Sequence, residues 1–128
     1  MISFERGDIV LVRYAFADEP GAKQRPGLVV SGAEYNSSRA EAMILAITSN
    51  VTRLLYGDAL IEDWRGAGLP MPSVLTATMR TIQRAMVAAR LGAIAARELR
   101  AAERRVRASL DLRQPSPSRK RFPEPTSL

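Results

Sequence analysis

The chain has 128 residues, 46% apolar, 25% charged and 5% aromatic, the profile of one small globular domain that buries roughly two thirds of its unfolded surface without disulfide or metal. It contains no Cys and no His, which excludes thiol nucleophiles, Cys-ligated zinc, Fe–S clusters and every Ser-His-Asp or paired-His mechanism and removes the commonest metal ligand; no metal site or cofactor is expected. The net charge is +6, and 17 of the 19 cations are arginine, a bias that suits bidentate phosphate or carboxylate contacts, although GC-rich coding also inflates Arg and Ala together.

Residues 1–10 have no basic region ahead of an apolar stretch, and nowhere does the chain approach the ~18 apolar residues of a membrane span. A cytoplasmic protein without membrane contact is therefore expected. Three short runs, Asp8 to Tyr14, Pro26 to Ser31 and Met43 to Thr48, are strand-length and rich in β-branched residues, with polar or turn residues at both ends. Neighbours such as Ile9 and Val10 are both apolar. Such strands suit a small closed barrel, or a sheet covered on both sides, better than a half-exposed sheet. Between the first two runs, Glu19-Pro20-Gly21-Ala22 has Pro and Gly where a type II turn wants them, predicting a hairpin with a mobile loop. Shorter strands are predicted at Ala59 to Ile61, Ser73 to Leu75 and Arg80 to Ile82, around a turn region from Gly66 to Pro72.

From Ala95 to Leu112 the apolar period becomes helical. Ala95, Leu99, Ala102, Val106 and Leu110 form one stripe, with Arg97, Arg100, Arg104 and Arg107 on the opposite face. That arginine face reads most simply as solvated, with Glu103 and Arg107 spaced for an i,i+4 pair. Ala95 stands where Ser or Thr would complete a capping box with Glu98, so the start of the helix is weakly marked. Residues 113–128 hold four of the eight prolines and four cations against one anion, and their few apolar residues cannot offset the entropy of ordering them. A domain over 1–112 with a disordered Pro/Arg-rich tail over 113–128 is the expected organisation. The domain without its tail is only mildly basic, at +3.

The most informative segment is Lys23-Gln-Arg-Pro-Gly-Leu-Val-Val-Ser31. The ring of Pro26 disfavours the helical region for Arg25, so the guanidinium is presented from extended backbone at the entry of a strand anchored by Val29 and Val30. Such a group can grip a phosphate through two parallel hydrogen bonds. In isolation, a surface ion pair would explain it as well. Trp64 reads as a cap on the core more simply than as a base-stacking platform. Gly66-x-Gly68 lacks the third glycine of a dinucleotide fingerprint, and the adjacent acids Asp18-Glu19 and Glu62-Asp63 fit solvated turns rather than metal ligands.

Taken in order, Phe4-x-x-Gly7-Asp8-Ile9-Val10-Leu11-Val12, Lys23-Gln24-Arg25-Pro26-x-x-Val29-Val30-Ser31, Ile44-Leu45-x-Ile47-Thr48-Ser49, Asp63-Trp64-x-x-Ala67-Gly68-Leu69-x-x-Pro72-Ser73-Val74 and Leu91-Gly92 resemble the MazF/PemK family of toxin endoribonucleases. The resemblance spans about residues 4–112. It implies a mainly β fold, a twisted SH3-like barrel with a C-terminal helix, usually homodimeric. It also implies metal-independent cleavage of single-stranded RNA to a 2′,3′-cyclic phosphate and a 5′-hydroxyl. A cognate antitoxin is implied too, one whose extended or helical, often acidic tail occupies the RNA groove.

The catalytic positions carried over are Arg25 and Thr48, with RNA contacts at Lys23, Gln24, Ser49 and Ser73. The chain departs from the pattern after Ser73-Val74. Where many members carry an arginine, and one branch an aspartate two positions later, Thr76 and Thr78 stand here, and Arg80 is the candidate substitute charge. Two other functions fit the same residues: a toxin of this fold that poisons a protein such as DNA gyrase, and a catalytically silent module that binds RNA or antitoxin.

Overall fold

The structure, a computed structural model, describes residues 2–15 and 22–112. The turn predicted at Glu19 to Ala22 and the tail from residue 113 therefore lie largely or wholly outside the described residues. Six strands and two helices follow one another: β1 (Asp8–Ala15), β2 (Ala22–Val29), α1 (Ala33–Ser38), β3 (Glu41–Thr48), β4 (Ala59–Leu60), β5 (Val74–Gln83), β6 (Val87–Ala93) and α2 (Ala96–Ser109). A 3-10 turn, Arg84–Met86, links β5 to β6.

The strands form one antiparallel sheet in the order β4-β5-β3-β2-β1-β6. The doubly apolar strands have their reason here. Consecutive residues enter opposite cores: Ile9, Leu28, Leu45 and Ile47 join Leu75, Ile94 and Ala102 on one face, while Val10, Val12, Val29 and Ile44 join Ala42, Ile82 and Val87 on the other. Leu99 and Val106 of α2 and the half-buried Trp64 seal the first core, and Phe4, Tyr14 and Met86 pack on the second. A strand buried on both sides needs no polar alternation.

The expected barrel does not close. The sheet is covered on both faces, but its end strands β4 and β6 do not pair. Two features take the place of the missing ladder. β4 is only two residues long, and the backbone after it folds edge-on against β6: a Cβ at Gly68, whose φ is +87°, would lie 2.0 Å from the Leu91 carbonyl oxygen, and one at Gly92 would lie 2.4 Å from that of Ala67. Glycine at both positions lets two backbones touch where a side chain would hold them apart.

Further along, α2 stands beside β4 in place of a next strand. Its side chains hold that edge at both ends, with Arg105 Nε donating to the Gly57 carbonyl at 3.1 Å and the Glu62 N–H donating to Glu98 Oε1 at 2.7 Å. Glu98, left without a capping-box partner by Ala95, ties the helix to the sheet instead.

Other expectations are corrected in detail. The segments read as two strands, Ser73 to Leu75 and Arg80 to Ile82, are one strand. Leu45 pairs Met79 but Ile47 pairs Leu75, so β5 carries extra residues in a bulge opposite Ala46. Leu110 is 57% exposed and leaves the apolar stripe of α2. Glu103 pairs with Arg6 rather than with Arg107, and Arg97 pairs with Glu62 at 2.8 Å. Trp64 carries the Arg65 guanidinium 4.8 Å above its ring, in keeping with a capping role. Among the described residues, no helix is long and apolar enough to cross a membrane.

Candidate active site

The second face of the sheet carries the site. Arg25 is paired with Val12 and Gly27 with Val10, so Arg25, two residues from Gly27, lies on the face of Val10, Val12 and Tyr14. β2 and β3 pair through Gly27–Ala46, Leu28–Leu45 and Val29–Ile44. The same register, carried two residues on towards the strand ends, sets Arg25 across from Thr48 on one face. Arg80 pairs with Ile44 and so shares that face. Four strands thus bring Tyr14, Arg25, Thr48 and Arg80 to one side of the sheet.

Tyr14, Arg25 and Arg80, with Pro26, Ala46 and Ile47, line a cleft of about 160 Å³; Thr48 is not in its lining. Small residues make room for it. Gly27 leaves room for Ile44, whose Cδ1 would meet a Cβ there at 2.7 Å, and Ala46, opposite, offers the cleft only a methyl. Arg25 and Arg80 are both exposed, and among the described residues no carboxylate lines the cleft. Two guanidiniums converging on one cavity without a counter-charge form a receptor for an anion with several oxygens, such as a phosphodiester.

Thr48 ends β3 half-buried. Its Oγ1 accepts the Asn50 N–H at 3.2 Å, the local strand-end bond that such a residue commonly makes. That bond occupies a lone pair and leaves the hydroxyl proton available to donate. Ser49 follows it, exposed, at the start of the next loop.

The other RNA-contact candidates separate. Lys23 shares the face of Arg25, being paired with Tyr14, whereas Gln24 alternates to the other side of β2. Ser73 is corrected: it is only 3% exposed, and its hydroxyl donates inward to the Met71 carbonyl at 2.8 Å. It presents no group to a ligand.

The departure at Thr76 and Thr78 also has a structural account. Thr76 Oγ1 donates to the Ala46 carbonyl at 2.7 Å and accepts the Thr78 N–H at 3.1 Å, while the Ala77 N–H reaches Asp58 Oδ1 at 3.2 Å. The threonine replaces the ladder bonds that the β5 bulge removes, and so it holds the floor of the cleft rather than reaching into it. Tyr14 is the wall residue that the sequence reading missed. Its signal was present in β1, where Val10, Val12 and Tyr14 fall on one face at period two. Among the described residues, no group of three or more acidic side chains gathers that could hold a metal ion.

A family model described as PemK-like, MazF-like toxin of type II toxin-antitoxin system matches residues 5–110. The chain belongs to this family.

Solved MazF structures share its fold. The MazE-MazF complex of Deinococcus radiodurans (Form-II) superposes with a TM-score of 0.72 at 21% identity, covering 85% of this chain and 96% of that one. An endoribonuclease in complex with its cognate antitoxin from a mycobacterial species gives 0.68 at 18% identity, over 88% and 100% of the two chains. The Mycobacterium tuberculosis toxin MazF-mt6 gives 0.65 at 20% identity, over 82% and 99%. No curated protein matches the chain in sequence. The matched MazF-like region takes in every strand that lines the cleft and stops one residue past the end of α2.

Proposed function

We propose that this MazF-family chain is a metal-independent endoribonuclease that cleaves single-stranded RNA at the Arg25 cleft, leaving a 2′,3′-cyclic phosphate and a 5′-hydroxyl. The observation that carries the reading is the convergence of two guanidiniums, Arg25 and Arg80, on one cleft, with no ion pair to either and no acidic residue in its lining among the described residues. In the reaction the ribose 2′-oxygen bonds to the adjacent phosphorus, the bond from phosphorus to the 5′-oxygen breaks, and the 2′-hydroxyl proton passes to water as the leaving oxygen takes one up.

The nucleophile is already beside its target, so the step has the high effective molarity of an intramolecular reaction and asks mainly for alignment and charge stabilisation. Arg25 holds the non-bridging oxygens, where charge develops. A guanidinium offers N–H donors and no acceptor, which suits electrostatic work rather than general base work. Thr48 Oγ1 orients the 2′-hydroxyl or a phosphate oxygen. Arg80 and Lys23 hold flanking phosphates, Ser49 lies at the margin of the groove, and the Tyr14 ring offers a face for a base.

The same reading includes a cognate antitoxin with an extended or helical tail that covers this cleft, and a cytoplasmic homodimer; a mycobacterial endoribonuclease of the same fold is solved in complex with its cognate antitoxin. Self-association is supported by consecutive exposed apolar residues in the loop before β4, Leu54, Leu55 and Tyr56, the last 77% exposed.

The test is end-mapping of single-stranded RNA incubated in EDTA with the wild type and with Arg25→Ala. Cyclic-phosphate ends that vanish in the variant, at an unchanged melting temperature, are the expected result. Uncut RNA across many sequences would overturn the reading, and growth arrest that persists in the variant would point to a protein target instead.

A further inference from the structure

The positive charge of the chain is not spread evenly. Residues 97–128 hold nine of the 19 cations and four of the 13 anions, and so five of the six net charges, while the first 96 residues are almost neutral. Among the described residues this charge is gathered on α2. Arg97, Arg100, Arg104 and Arg107 recur at steps of three and four and are all exposed. They form one row about 15 Å long, at a rise of about 1.5 Å per residue, on the side of the helix that faces away from Leu99, Ala102 and Val106 in the first core.

A solvated helix commonly answers such a row with acids of its own, three or four residues away. Here the acids are drawn elsewhere. Glu103 pairs with Arg6, Glu98 accepts the Glu62 N–H, and Glu62 takes Arg97. Arg100, Arg104 and Arg107 are left without an ion pair among the described residues. The helix dipole favours a cation only in the last turn, which accounts for Arg107 alone. The crowding reaches the next side chain: burial first, and the Arg104 charge second, hold the Arg105 guanidinium below its ordinary value. An anion laid along the row would relieve the repulsion.

We infer that the α2 row of Arg100, Arg104 and Arg107 is a second RNA-binding surface, which grips the phosphates of a strand without reading its bases. Between the arginines the helix presents only Ala101 and Ala108, both half-buried. The row therefore has no aromatic or large apolar anchor of the kind a protein interface is built on, and no ring on which a base could stack. A phosphodiester strand needs neither, because guanidinium forks match its oxygens and counterion release drives its binding. The row and the Arg25 cleft lie on opposite faces of the sheet and share no residue, so only a strand long enough to pass round the sheet touches both. As a second hold on the substrate the inference rests on the endoribonuclease reading, but retention of RNA by the row is measured without cleavage.

The experiment uses the full chain and fluorescence anisotropy of labelled 2′-O-methyl oligoribonucleotides, which cannot be cleaved, in two lengths, a heptamer and a 40-mer, titrated over salt. The triple variant Arg100→Gln, Arg104→Gln, Arg107→Gln keeps the helix propensity of the row and removes its charge. It is expected to weaken the 40-mer about tenfold at low salt and to reduce its slope of log affinity against log salt by about 2, at about 0.7 for each phosphate no longer neutralised. The heptamer is expected to weaken less than twofold, whereas Arg25→Ala weakens both lengths.

A 40-mer bound by the triple variant with wild-type affinity and slope would overturn the inference, as would an equal loss for both lengths. So would a 40-residue poly-glutamate that the wild type binds as tightly as the 40-mer and the triple variant releases in parallel, since the row would then serve an acidic protein. A wild type that leaves RNA uncut, yet shows the length-dependent loss in the triple variant, supports the row and overturns the endoribonuclease reading alone. Should the triple variant melt early, Arg104→Gln by itself, expected to reduce the 40-mer slope by about 0.7, decides.

Discussion

Arg80 offers the sharpest test of the cleft, because it stands one strand beyond β3, two strands away from Arg25, and only the folded sheet brings the two together. Replacing it by Ala removes one charge from the cleft and leaves the fold alone: its side chain is exposed and its backbone stays in the β5 ladder opposite Ile44. A charge-assisted hydrogen bond contributes about 1.5–3 kcal/mol, so RNA affinity should fall by about one to two orders of magnitude at low salt. The salt dependence is more diagnostic. Each phosphate neutralised on a single strand contributes about 0.7 to the slope of log affinity against log salt, and Arg80→Ala should reduce that slope by about this amount. The assay is anisotropy of a labelled oligoribonucleotide with a 2′-deoxy residue at the cut position, titrated from low to moderate salt. A slope equal to wild type, with affinity reduced uniformly, would mean that Arg80 touches no phosphate, and the two-guanidinium account of the cleft would fail.

Three further outcomes follow from the same structure. Gly68→Ala puts a methyl 2.0 Å from the Leu91 carbonyl oxygen at a φ of +87°; overpacking and left-handed strain together predict about 2–4 kcal/mol of destabilisation in urea melts. Thr76→Val preserves shape but strips the Ala46 carbonyl and the Thr78 N–H of their partner. It should cost about 1–3 kcal/mol and lower cleavage through the cleft floor, with Thr76→Ser restoring both. Finally, the chain has no His or Cys, so neither stability nor cleavage should show a side-chain inflection between about pH 6 and 8. The shifted groups act only in strong alkali. Arg90 is raised by its hydrogen bond to Asp8, and its stabilising contribution is present below its unfolded pKa and lost as pH rises through the folded value. Arg105, lowered by burial, opposes folding while charged and stops doing so as pH rises through its folded pKa. An imidazole-like step near pH 6.5 in either profile would contradict this.

Part of the architecture was legible because it is local. The runs at Asp8, Pro26 and Met43 announced strands through length and β-branching, and their doubled apolar residues announced two covered faces, since burial on both sides leaves no place for polar alternation. The period from Leu99 to Val106 announced α2. Arg25 could be singled out because Pro26 fixes the backbone that aims it, and the ordered motifs around it named the family. α1 could not be read, because six residues whose sole buried side chain is Asn36 carry no apolar period. β6 could not be read either: Val-Ala-Ala-Arg-Leu-Gly-Ala has little strand propensity and is extended because β1 pairs with it.

What residue order could not decide was everything that depends on which backbones meet. Closure was decided against by a two-residue β4 and by the touching glycines, Gly68 and Gly92. The use of Thr76 as a splint for the β5 bulge and of Glu98 as a sheet tether are likewise contacts between segments far apart in the chain. The meeting of Arg25 with Arg80 belongs with them. The sequence names each guanidinium, but their common cleft exists because β3 stands between their strands with Ala46 small enough to leave a space, and such a register is a property of paired strands rather than of either strand alone.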